Sequence, residues 1–202
     1  QALQGSGKYG EAAQWYLQYA EQGDFPEEAR QQAAACAAQA GLSPAASGYV
    51  LKPATFNSAA SEIGAMTSGE GVIVTVNRQH GGILHPLDPT TGASCYDILS
   101  VQGADNQGKG LPGRINSRLH EGPCTRVTSE GKIYFTRSNF VKGKSGKDQR
   151  GANHLQVLEA SLVHGKWKQV KLLPFNATDY STGHPSLSAD GKQLYFASNR
   201  PG

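Results

Sequence analysis

Long apolar runs are missing from this 202-residue sequence. The β-branched run at residues 72–76 is short and is broken by Thr75. No 18-residue apolar stretch exists, so no segment spans a bilayer as a helix. Charge is scarce too, at 17% of residues with a net of +3. That excess is too small and too scattered to mark a nucleic-acid surface. Cysteine occurs three times. Cys36, Cys95 and Cys124 show no CxxC or metal-like spacing, and an odd number cannot all pair internally. A Cys95–Cys124 disulfide stays open, since spacing alone does not fix it. Cys36 stands among alanines and reads as a small helix-packing residue.

What charge there is lies unevenly. Residues 1–50 hold two basic and five acidic side chains, and the remainder 17 basic and 11 acidic. The shift coincides with a change of composition and marks a boundary near residue 50. Before it, Tyr9, Ala12, Ala13, Tyr16, Leu17 and Ala20 fall at helical spacing. Gly23-Asp24 ends that helix, and Pro26 with Glu27 and Glu28 opens the next. Residues 26–40 are mostly Ala and Gln, strong helix formers, and Gly41 is the stop. Residues 42–55 are small, polar and proline-bearing, and read as a linker.

From residue 56 the pattern becomes short apolar alternations bounded by Gly, Asn and Asp, which is strand-and-turn patterning. The segment repeats itself. Asn57, Asn116 and Asn176 are spaced by 59 and 60 residues, and Gly71, Gly131 and Gly191 by 60 and 60. Each glycine follows an acidic residue (Glu70, Glu130, Asp190) and precedes an apolar strand, so each reads as a tight hairpin turn. The asparagines read as turn caps. Pro123 and Pro185 are 62 apart, which places a small insertion or deletion between Pro and Gly. Residues 82–88 and 154–160 supply further strands, with a turn at Val163-His164-Gly165 before Trp167. Four strands per period with no helix between them predict an incomplete β-propeller over 56–202, about two and a half blades. Both chain ends read as cut from something longer.

Two stretches carry a family resemblance. Gly7-Lys8-Tyr9-Gly10-Glu11-Ala12 followed by Tyr16 resembles the second helix of a tetratricopeptide repeat, which would make 1–41 the end of a longer helical array. Residues 188–202 (SADGKQLYFASNRPG) resemble the WD40-like repeat of TolB-type propellers, with Ala189 in place of the usual proline. Together with His120-Glu121-Gly122-Pro123 and Gly183-His184-Pro185, they are similar to OmpA-family proteins of Bacteroidetes-type envelopes, the group that includes PorE of the type IX secretion system. The resemblance implies a multidomain α plus all-β chain with a tetratricopeptide-type hairpin and a propeller of four-stranded blades. It implies a non-enzymatic scaffold in the periplasm, associated with the outer membrane. Its partners would be outer-membrane β-barrels or secretion and gliding components, with peptidoglycan held by a domain outside these residues. The alternatives are the propeller portion of a prolyl-oligopeptidase-like hydrolase and a ligand-binding propeller.

Chemistry is thinly signalled. Gly143-Lys144-Ser145 lacks the glycine five residues earlier that a phosphate-binding loop needs. The basic loop with Lys142, Lys144, Lys147 and Arg150 is the one candidate partner contact. His80, His85, His120, His154, His164 and His184 show no metal-ligand spacing. No Gly-x-Ser-x-Gly elbow exists. No catalytic residue, cofactor or metal is expected. Asn176-Ala177-Thr178 matches a glycosylation sequon without further support. Trp15 and Trp167 read as packing residues.

Overall fold

The computed structural model describes residues 2–41, 52–69, 71–77, 87–88, 91–103, 108–127, 130–141 and 144–201. The chain divides into two compact units, Gln1–Lys52 and Pro53–Gly202. Most of the linker call at 42–55 and of the strand expected at 82–88 lies outside the described residues, as do Glu70, His80, His85 and Lys142.

The first unit holds α1 (Ala2–Gly5), α2 (Tyr9–Gln22) and α3 (Pro26–Ala40). Pro26 sits in the first turn of α3 with Glu27 and Glu28, where a missing N–H costs nothing and the helix dipole favours carboxylates. The Gly23 N–H closes α2 on the Tyr19 carbonyl. The apolar residues buried here are Ala12, Ala20, Ala29, Ala33 and Cys36. The large side chains are outside: Trp15 is 63% exposed, and Leu17, Tyr19 and Phe25 are exposed too. Small residues let the helices approach closely, but they bury little area and so stabilise the pair weakly.

The second unit is antiparallel β. One sheet has the order β1 (Glu62–Ser68), β2 (Gly71–Val76), β3 (Asp97–Gln102), β4 (Lys109–Gly110). A second has β5 (Glu121–Val127) and β6 (Lys132–Ser138), then β9 (Leu155–Val163) and β10 (Lys166–Leu172), in the order β10-β9-β6-β5. Two ribbons complete it: β7 (Phe140–Val141) with β8 (Lys144–Ser145), and β11 (Thr182–Leu187) with β12 (Leu194–Ser198). Alternation sends Ile73 and Ile98 to one face of the first sheet and Val74, Val76, Leu99 and Val101 to the other. The first face joins Ile115, Ile133, Phe135, Leu158 and Trp167 in a core shared by both large sheets.

This architecture corrects the expected fold class. A tetratricopeptide array stacks hairpins so that neighbours bury a continuous face. Here the described residues hold one packed helix pair, and the face that a neighbour would cover is solvent-exposed. The expected propeller is corrected as well. The strands form separate sheets without closure, β4 is only two residues long, and the last ribbon has two strands. Part of the segment read as a basic loop instead pairs as β7 and β8.

Candidate functional site

Three hairpins, β1–β2, β5–β6 and β11–β12, share one construction. Each carries an irregularity in its first strand, between Ile63 and Met66, Glu121 and Cys124, and Gly183 and Ser186. Each is closed by an N–H at the end of the second strand: Asn77 to the Ser61 carbonyl, Ser138 to His120, and Asn199 to Ser181. The repeat-linked asparagines act on the strand beside the hairpin. Asn116 Oδ1 accepts from Ile98 N at 2.8 Å and its Nδ2 donates to Ile98 O at 3.0 Å. Asn176 clamps Val157 the same way, at 2.8 Å for both bonds. Asn57 differs: its backbone N–H donates to the Ala54 carbonyl.

The turn glycines divide likewise. Gly131 and Gly191 have φ of 59° and 71°, as a tight turn requires. Gly71 does not. In the first hairpin Gly69 takes the positive φ of 61°, and Gly71 is the first residue of β2, pressed against the Val101 carbonyl. Asp190 holds the last turn by accepting from Ser188 Oγ at 2.6 Å and from Lys192 N at 3.1 Å.

Two histidines stand where spacing gave no signal. His120 Nδ1 accepts from Tyr96 N at 3.3 Å, which leaves the proton on Nε2, 2.8 Å from Asp88 Oδ2. His154 Nε2 lies 3.0 Å from Asp148 Oδ2, and its Nδ1 faces Ser181 Oγ at 3.3 Å. Both aspartates sit in alike turns. Asp88 Oδ1 accepts from Thr91 N, and Asp148 Oδ1 from Arg150 N and Ala152 N. The hydrogen bond from His154, then those from the backbone, hold the Asp148 carboxyl below its usual range. Each histidine has both ring nitrogens engaged, so neither is a free general base.

Cys95 lies near Asp88, but this is no activated thiol. Burial and the carboxylates of Asp88, Glu121 and Asp97 raise its pKa. Burial pushes Cys124 up to about 12. All three cysteines are free thiols, so the Cys95–Cys124 bond left open by the sequence is not formed. Glu121, fully buried, accepts from Ser117 N, Ser117 Oγ and Arg137 Nε, the last at 2.8 Å. Arg137 also donates to the Arg114 and Ile115 carbonyls. Burial raises the Glu121 carboxyl to about 7, with Ser117 and Arg137 pulling it back. This network fastens the loop before β5 to β6.

The open polar groups gather elsewhere. Lys147, Asp148, Gln149, Arg150, Ala152, His154, Thr178, Asp179 and Asn199 line a cleft of about 990 Å³. The turn that carries Lys147 and Arg150 is closed by Asp148 N to the Ala152 carbonyl and by a bridge between Lys147 and Asn153. Lys147, Arg150 and Asp179 are exposed, with no ion pair among the described residues. Of the four basic residues expected as a partner contact, the structure places Lys147 and Arg150 here. Lys144 contributes backbone to β8, and Lys142 lies outside the described residues. The sequence reading missed Asp148, His154, Thr178, Asp179 and Asn199. The recurring Asp turn, at Asp88 to Gly92 and Asp148 to Gly151, was the available signal.

Among the described residues no cluster of His, Cys, Asp and Glu is arranged for a metal ion, and no helix is long and apolar enough to cross a membrane. No family model, curated protein or solved structure matches this chain.

Proposed function

We propose that this chain is a non-catalytic protein-interaction module of a bacterial cell envelope, working in the periplasm beside the outer membrane. The observation that carries the reading is the contrast within one cleft. His154 and Asp148 are consumed by each other, while Lys147 and Arg150 in the same lining are exposed and make no ion pair among the described residues. Such a surface recognises a partner by charge, with its histidine already engaged. The envelope location rests on the resemblance of residues 188–202 and of the Gly/His/Pro segments to OmpA-family proteins. In that setting peptidoglycan attachment belongs to another domain, and the cleft meets an outer-membrane β-barrel or a secretion or gliding component.

The test is photo-crosslinking from position 147 in cells of the source organism, with fractionation. The expected result is a crosslink to an outer-membrane protein, lost in Lys147→Glu/Arg150→Glu. A chain found in the cytosolic fraction, or crosslinks that survive the charge reversal, would overturn the reading.

A further inference from the structure

The three repeat copies enter their first strands through corresponding loops, and the third loop is rebuilt. Asn57 and Ser61 are four residues apart, as are Asn116 and His120, whereas Asn176 and Ser181 are five apart. In the first copy Ser58 Oγ donates to Glu62 Oε1 at 2.6 Å and accepts from Ala60 N at 3.1 Å. In the second, Ser117 Oγ donates to Glu121 Oε1 at 2.6 Å and accepts from Leu119 N at 3.2 Å. The third copy has Ala177 in place of the serine and Thr182 in place of the glutamate. Thr182 Oγ1 is buried without a partner among the described residues, and Tyr180 Oη donates to the Phe175 carbonyl at 2.9 Å instead.

The acid that holds the loop from inside in two copies is thus missing from the third. The longer loop carries Thr178 and Asp179, both exposed, to the lining of the cleft. Arg118 stands two residues beyond Asn116, as Thr178 stands beyond Asn176, and it is exposed with β6 to β10 all following it. Exposure is a property of this place in the loop.

The other wall departs from its counterpart as well. Asp88 N donates to the Ala93 carbonyl and Asp148 N to the Ala152 carbonyl, both at 2.8 Å, so the two turns are built alike. The residue before the aspartate is Leu87 in one and Lys147 in the other. Residues 87–93 contain no basic residue, and residues 147–152 contain Lys147 and Arg150. Asp148 itself is engaged by His154 and by its own turn. The lining therefore holds two cations on the turn and one carboxylate on the loop, and these three make no ion pair with each other or with any other described residue.

We infer that the partner enters this cleft with a segment carrying both signs of charge: an acidic side chain for Lys147 and Arg150, and a basic one for Asp179. The inference rests on the reading of the cleft as a partner surface and adds the character of the segment that fills it. A wholly acidic segment sets like charge against Asp179, and a wholly basic one against Lys147 and Arg150. Such juxtapositions are how an interface rejects wrong partners.

The probes are short capped alanine peptides carrying one Glu and one Lys in either order and at increasing separations, with Glu-only and Lys-only peptides beside them. Each is titrated into the intact chain and followed by the backbone amide signals of Arg150 and Asp179. At least one mixed peptide should shift both signals and bind about threefold to fivefold more tightly than the Glu-only peptide, what one exposed ion pair provides. Asp179→Asn should remove that advantage without weakening the Glu-only peptide. Asp179→Lys should make the Glu-only peptide the best binder. Equal affinity for mixed and Glu-only peptides, with Asp179→Asn silent, would overturn the inference and leave the cationic contact standing. So would a best binder that shifts Arg150 alone. Peptides that shift neither signal also sink it, while the crosslink from position 147 decides separately whether the cleft meets a partner at all.

Discussion

Asp148 holds His154 at 3.0 Å while its other oxygen accepts two backbone N–H groups of its own turn. One carboxylate thus shapes a loop and pins it to the start of β9. His154 passes the connection on to Ser181, at the start of β11. Asp88 and His120 repeat the arrangement 2.8 Å apart, between another turn and the start of β5.

The Asp148 contact makes stability sensitive to acid. Its folded pKa is lowered, so its contribution is present above the unfolded value and is lost as pH falls through the folded one. Denaturant midpoints measured from about pH 6 down to about pH 2 should fall more steeply for the parent than for Asp148→Asn. Equal slopes would show that the carboxylate charge is idle.

Glu121 has the opposite sign. Its folded pKa is raised to about 7, so the stability linked to its neutral form is complete below about pH 4.5 and is lost as pH rises through about 7. Glu121→Gln should flatten the stability profile over that window. Glu121→Leu should cost about 3 kcal/mol by leaving the Arg137 guanidinium buried without its carboxylate. Adding Arg137→Met should restore much of that loss. Additive single effects in a double-mutant cycle would contradict the pairing.

The asparagine clamps separate the three copies. Asn176→Ala strands the Val157 N–H, while the carbonyl keeps the Leu173 N–H, and should cost about 1–3 kcal/mol, as should Asn116→Ala at Ile98. Asn57→Ala, whose bond is made by the backbone, should stay within about 0.5 kcal/mol of the parent. Urea melts of the three variants check the order.

Gly191→Val should destabilise the β11–β12 turn by about 1–2 kcal/mol, because a β-branched residue resists φ of 71°. An unchanged denaturation midpoint would show that the turn tolerates a side chain.

Lys147→Ser/Arg150→Ser should leave the melting temperature unchanged, since both side chains are exposed and carry no ion pair among the described residues. Loss of the crosslink from position 147 without loss of stability would separate recognition from folding.

The recurrence of Asn, acidic-Gly and apolar strand at 59 and 60 residues located the hairpins, because turn chemistry and alternation are local. What each strand pairs with is not local. Gly71 and Gly131 occupy equal places in the sequence, yet Gly69 supplies the first turn and Gly71 makes room for Val101. Leu17 falls on a helical stripe that reads as core and Trp15 reads as a packing residue, but Ala12 and Ala20 are the residues of α2 that are buried. Sequence spacing records a stripe and not the neighbour that covers it. The Asp88–His120 pair stayed hidden because its members are 32 residues apart. Sheet closure was read from period length, which counts strands and not how they join.

The placement of the two tryptophans has an optical consequence. Trp15 belongs to the helical unit and is 63% exposed, while Trp167 belongs to the β unit and is 5% exposed. A water-soluble quencher should reach the first indole and spare the second. One emission spectrum therefore resolves into two signals, each from a different unit, and a single titration can follow both without any added dye.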